Sequence, residues 1–240
     1  MTHDSTHTAQ TPDGPMEIYD VAPEGKASGA VIVIQEAFGV NEHIRDVTRR
    51  FAAAGFRAVA PTMFHRAGGG TAPYDDFAKV IPLFAGVSDD GIAADVDATV
   101  KYLHDAGFAD RHIGIVGFCF GGRVTFLIAT RRKLGAAVGF YGGGIVTSRL
   151  PIFQPLIGDT AKLATPWLGL FGDADTGIPV ADVEQLRATL DREAKVAHEI
   201  VRYPGAEHGF HCDVRPSYDE AAAKDAWRRT LDWFQRQLGR

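Results

Sequence analysis

The stretch IGIVGFCFGGRVTFLIA, residues 113–129, decides the fold. Four apolar residues, three of them Ile or Val, read as a buried strand. They run into Gly117-Phe118-Cys119-Phe120-Gly121-Gly122 and then straight into a helical pattern. A strand that feeds a helix through so short a turn is half of a βαβ unit, and such units build parallel sheets. Working outward, similar apolar runs recur at Ala30–Ile34, Phe56–Ala60, Ile113–Val116, Ala136–Tyr141, Pro166–Phe171 and Val196–Val201. Amphipathic stretches lie between and after them at Asn41–Ala54, Asp89–Asp105, Val180–Leu190 and Ser217–Leu238. The alternation predicts an α/β fold with a mostly parallel central sheet and helices on both faces.

Within 113–129, residues 117–121 have the pattern G-x-nucleophile-x-G. The central residue of a sharp strand-to-helix turn crowds the positions two before and two after it, and very small residues relieve that crowding. Cys119 is thereby held out at the sheet edge, at a helix N-terminus whose partial positive charge favours thiolate over thiol. The N–H of Phe120, next in sequence, is placed to supply half of an oxyanion hole.

Composition narrows the classes. The chain has 240 residues, 45% hydrophobic and 23% charged, and its length fits one domain. A net charge of −5 offers no broad basic field for a phosphate backbone, so nucleic acid is not an expected partner. No apolar run reaches membrane-spanning length and the polar opening has no signal-peptide character, so neither a membrane nor a secretory route is expected and the cytoplasm is the default. Residues 1–14 carry almost no apolar side chains and read as a flexible tail ahead of a single domain over 15–240. Residues 67–73, AGGGTAP, read as a flexible loop. Two cysteines, Cys119 and Cys212, are too few for a disulfide framework and lack a zinc-ligand spacing.

Open parallel sheets place their chemistry beyond the carboxyl ends of the strands. After the run ending at Phe171 comes Gly-Asp-Ala-Asp-Thr-Gly-Ile-Pro (172–179), which offers Asp173 and Asp175 as the acid of a triad. After the last run comes Ala-Glu-His-Gly-Phe (206–210), which offers His208 as the base, with His211 its nearest rival. His65, His104 and His112 read as loop or helix-flank residues. Nucleophile, acid, histidine is the chain order of the α/β-hydrolase triad, and the G-x-x-D-x-x-I-P spacing of that fold selects Asp175 over Asp173.

These motifs together resemble the dienelactone hydrolase (carboxymethylenebutenolidase) family within the α/β-hydrolase fold. The likeness runs from about Met16 and rests on Gln35-Glu36-Ala37-Phe38-Gly39, Ala60-Pro61 with Phe64-His65-Arg66, the elbow, and Ala206-Glu207-His208-Gly209-Phe210. The resemblance implies hydrolysis of a small ester or lactone, of the carboxymethylenebutenolide-to-maleylacetate type and in aromatic-compound degradation, through a Cys119 thioester. It implies that Glu36 holds the thiol proton at rest and that the N–H of Ala37 completes the oxyanion hole with Phe120. It also implies that Arg66 binds a substrate carboxylate. The family's second substrate-binding arginine, four residues after the histidine, is replaced here by Cys212, and Arg215 is the alternative for the same anion.

No metal and no organic cofactor is called for, and the expected partner is a small-molecule lactone or ester, with the chain a monomer or small homo-oligomer. The competing expectation is a redox-sensing thiol protein in which Cys212 resolves an oxidised Cys119. It has no need of Asp175 and His208 in triad order.

Overall fold

The computed structural model describes residues 3–148 and 151–238. Eight strands form one sheet: β1 (His3–Thr11), β2 (Gly14–Ala22), β3 (Ala30–Ile34), β4 (Arg57–Pro61), β5 (Ile113–Phe118), β6 (Ala136–Phe140), β7 (Trp167–Gly172) and β8 (His198–Tyr203). Their order is β1-β2-β4-β3-β5-β6-β7-β8. From β4 to β8 every pairing is parallel, while β1 and β2 run antiparallel. This is the mostly parallel α/β sheet read from the sequence. All residues of β3, β5 and β6 are buried, as strands covered on both faces must be.

Among the described residues five α-helices cover the sheet: α1 (Glu42–Ala53), α2 (Asp89–Asp105), α3 (Phe120–Arg131), α4 (Val180–Glu193) and α5 (Glu220–Leu238). On one face α1 and α5 meet, with the Phe51 ring 4.5 Å from Trp227 and 5.9 Å from Phe234. On the other, α2 and α3 are joined by the Arg123–Asp89 ion pair at 2.6 Å. Helix boundaries follow their caps. Asn41 Oδ1 accepts from the Ile44 N–H and opens α1; Ser88 Oγ accepts from Gly91 and opens α2. Helix α5 begins at Glu220 rather than at Ser217 because the Asp219 carboxylate accepts from the Ala222 N–H. Among the described residues no helix is long and apolar enough to cross a membrane.

The N-terminus corrects the sequence reading. His3–Thr11, expected as a flexible tail, is edge strand β1, paired residue for residue with β2 from His3↔Ala22 to Thr11↔Gly14. Nearly all of β1 is exposed, so it carries no apolar alternation to read. What holds it is the backbone ladder and a tight turn at Thr11-Pro-Asp-Gly14. There Thr11 Oγ1 donates to the Gly14 carbonyl at 2.8 Å, and Gly14 takes φ +113°, open to glycine. That Pro-Asp-Gly turn was the available signal.

Candidate active site

Four strand ends converge on the site. At the end of β5, Cys119 adopts φ 54° and ψ −112°. Among the described residues it and Tyr141 are the non-glycine residues with positive φ. Such a conformation costs on the order of 1–3 kcal/mol and survives where its surroundings impose it. Here the glycines do so. A Cβ on Gly117 would lie 2.1 Å from the Gly121 carbonyl oxygen, and one on Gly121 would lie 2.5 Å from that of Ile34 and 2.7 Å from that of Gln35. The elbow therefore closes on itself and seats against the end of β3, where Glu36 and Ala37 follow. Phe120 is the first residue of α3, so its N–H has no carbonyl one turn earlier to bond. Ala37 lies in the adjoining bend, closed by a bridge between Glu36 and Gly39.

The loops after β7 and β8 bring an acid to a base. His208 Nδ1 lies 2.6 Å from Asp175 Oδ2, and Asp175 Oδ1 accepts from the Gly177 N–H at 2.7 Å. Asp175 is 4% exposed. Burial works against a charged His208, but the Cys119 sulfur on one side and the Asp175 carboxylate on the other push it up to about 10. Asp173, the other acid the loop offered, is engaged elsewhere, its oxygens accepting from Arg202 Nε at 2.7 Å and Nη2 at 2.9 Å. His211 is buried against Phe118 and Phe140, and burial, reinforced by His43, takes it down to about 3. It is a neutral core ring. His65 pairs with buried Asp95, His104 with Asp110, and His112 with the Leu238 carbonyl.

Glu36 is fully buried, and the structure turns it to partners other than the sulfur. Its Oε2 accepts from the Tyr74 hydroxyl at 2.8 Å, and its Oε1 lies 3.5 Å from Arg215 Nη1. Neither Oε1 nor that Nη1 has a hydrogen-bond partner. Arg215 also packs on Gly209, where a Cβ would lie 2.4 Å from Nη1, and its guanidinium sits 5.4 Å from the Tyr74 ring centre. Cys212 is buried and its thiol donates to the Tyr74 hydroxyl at 3.4 Å. Burial, with Glu36 nearby, pushes that thiol up to about 11, which lends nothing to its service as a resolving thiolate.

Arg66 departs from expectation. Its Nη1 and Nη2 hold the two oxygens of buried Asp95 at 2.7 and 2.9 Å. Nε reaches Asp13 at 2.7 Å and Nη2 also reaches the Gly91 carbonyl at 3.1 Å. The fork that would take a substrate carboxylate already grips one from α2. A completely buried aspartate requires such a partner, which is the physical reason for the arrangement.

The sequence reading missed Tyr74, Asn41 and Tyr141. Tyr74 follows the triple-glycine loop after β4, and that loop packs on the Glu36–Gly39 bend through the bond from the Ala72 N–H to the Phe38 carbonyl at 3.1 Å. Its position beyond a parallel-strand end was the available sign. Tyr141 directly follows β6, with its ring 5.1 Å from His208. Among the described residues no cluster of His, Cys, Asp and Glu is arranged to hold a metal ion.

Comparison with known proteins identifies the family and agrees with the fold. Residues 16–238 match the model of the dienelactone hydrolase family. A Salmonella typhimurium protein provisionally named carboxymethylenebutenolidase is 40% identical over 232 residues, covering 94% of this chain and 84% of that protein. A Bradyrhizobium protein provisionally named 2-oxo-3-(5-oxofuran-2-ylidene)propanoate lactonase is 34% identical over 87% of this chain and 84% of its own length. The crystal structure of a provisionally assigned dienelactone hydrolase from Klebsiella pneumoniae superposes with a TM-score of 0.89 at 36% identity, covering 98% of both chains. The chain belongs to the dienelactone hydrolase family, enzymes that hydrolyse carboxylic esters and lactones on the α/β-hydrolase fold.

Proposed function

We propose that the chain opens a small lactone or ester through a Cys119 thioester. The observation that carries this reading is the contact between His208 and Asp175 at 2.6 Å beside a cysteine fixed in a strained elbow. His208 takes the thiol proton, the sulfur attacks the carbonyl carbon, and the Phe120 and Ala37 N–H groups receive the developing oxyanion. The imidazolium then protonates the leaving oxygen. In the second half His208 draws a proton from water, which attacks the thioester and releases the acid with Cys119 restored. Asp175 keeps Nδ1 protonated throughout, so that Nε2 faces the reaction.

Glu36 acts in this scheme as a two-position carboxylate. Near the sulfur it holds the thiol proton; turned to Tyr74 and Arg215, as here, it leaves the sulfur to His208. With Arg66 engaged by Asp95, a substrate carboxylate is met by Arg215, whose Nη1 makes an ion pair with Glu36 at 3.5 Å but no hydrogen bond. The lactonase name carried by the Bradyrhizobium relative favours an unsaturated five-membered lactone bearing an acid group.

The test is steady-state hydrolysis of a dienelactone and a neutral aryl ester by wild type, Cys119→Ala and Cys212→Ser. Loss in Cys119→Ala alone is expected. An unimpaired Cys119→Ala removes the thioester, and an equal loss in Cys212→Ser reopens the redox reading.

A further inference from the structure

Tyr74 makes three hydrogen bonds whose directions can be assigned. Asn41 caps α1 with Oδ1, which accepts from the Ile44 N–H at 3.1 Å. That bond fixes which end of the amide is which, so the end turned to Tyr74 is Nδ2, a donor, at 3.1 Å. Cys212 Sγ is the second neighbour at 3.4 Å, and a thiol pushed up to about 11 keeps its proton and donates it. Both contacts therefore fill the acceptor capacity of the phenolic oxygen. Its single hydrogen is left one direction, towards Glu36 Oε2 at 2.8 Å. The ring is held by Phe38, 4.6 Å away between centres, which places the hydroxyl over a carboxylate that is itself fully buried.

We propose that Tyr74 is a positioning residue for Glu36: supplied with donors by Asn41 and Cys212, its hydroxyl must donate to Oε2, and it thereby holds that carboxylate turned away from Cys119. The inference rests on the reading of Cys119 as nucleophile and Glu36 as its switch. It also gives Cys212 a purpose in this chain. The thiol stands on the turn after His208 and sets the polarity of Tyr74, where a second acceptor would leave the hydroxyl hydrogen a choice of partners.

Without the Tyr74 hydroxyl, the charged Glu36 carboxylate loses a donor and becomes free to accept a hydrogen bond from the Cys119 thiol, whose proton then stays on the sulfur. The protonated sulfur is the unreactive form. Alkylation of Cys119 by iodoacetamide, followed at pH 7 on the peptide containing Cys119, should slow by about tenfold in Tyr74→Phe, a size appropriate to one such bond. The same substitution made in a Glu36→Gln background should change the rate by less than about twofold, because the neutral amide carries no charge to keep the thiol protonated.

Equal slowing by Tyr74→Phe in both backgrounds, or no slowing in either, overturns the proposal. Hydrolysis that survives Cys119→Ala would instead refute the nucleophile, and the alkylation series distinguishes the two because it reads the sulfur and not turnover.

Discussion

Asp175→Asn tests the site at its most specific bond. The carboxylate accepts twice, from the Gly177 N–H at 2.7 Å and from His208 at 2.6 Å. An asparagine that keeps the Gly177 bond through Oδ1 must turn its Nδ2 hydrogens towards His208 Nδ1. A donor facing a donor forces the imidazole to carry its proton on Nε2 instead, so it can no longer accept one from the sulfur. The loss is one of tautomer, and the change adds no volume to the 4% exposed site. A drop in kcat of about 10³- to 10⁴-fold follows, roughly 4–5 kcal/mol at 1.36 kcal/mol per tenfold. The assay is hydrolysis of a neutral aryl ester, with Asp173→Asn alongside. Asp173 pairs with the solvent-facing Arg202, and breaking that pair should cost little stability and leave kcat within about twofold. Losses of similar size in the two variants, or a loss below about tenfold in Asp175→Asn, would refute the assignment of the acid.

Two arginines should separate by readout. Arg66→Gln takes the guanidinium from the buried Asp95 charge and leaves it His65 alone, which should cost about 3 kcal/mol in urea unfolding, with KM nearly unchanged. Arg215→Gln should raise KM for a carboxylate-bearing lactone about tenfold and affect a neutral ester far less. The reverse pattern would return substrate binding to Arg66. Acid should weaken the fold through His211. Its native value of about 3 lies below the usual 6.5, so between those limits the unfolded chain binds one more proton, and stability falls as pH drops. From pH 6.5 to 5 the loss is about 2 kcal/mol at 1.36 kcal/mol per unit. His211→Gln should flatten the pH dependence of the urea midpoint in that range; an unchanged slope would show that other groups govern it. His208 acts in the opposite sense. Raised to about 10, it contributes stability present below about 6.5 that is lost as pH rises towards 10.

Local chemistry made part of this protein legible. The apolar runs of β3 and β5 are buried on both faces, and Gly117 and Gly121 stand where any Cβ would clash with neighbouring backbone, so composition alone marks them. The order of Cys119, Asp175 and His208 follows from which strand ends carry them. Choosing Asp175 over Asp173 needed only the spacing of the loop; in the structure Asp175 pairs with His208 and Asp173 with Arg202.

The tertiary structure alone decided the rest, because partners distant in sequence compete for the same groups. Strand β1 has no buried face and exists through its ladder to β2, which leaves no apolar period in its residues. Arg66 has the chemistry of a carboxylate binder, and which carboxylate it binds depended on α2 bringing Asp95 against it, 29 residues away. Glu36 could hold a thiol proton, yet Tyr74, 38 residues on, and Arg215, brought in on the turn after His208, draw it aside. A sequence states what each side chain is able to bond. Only the packing of the loops on the sheet determines which of several able partners arrives first, and a buried polar group takes the one that arrives because water is not there to replace it.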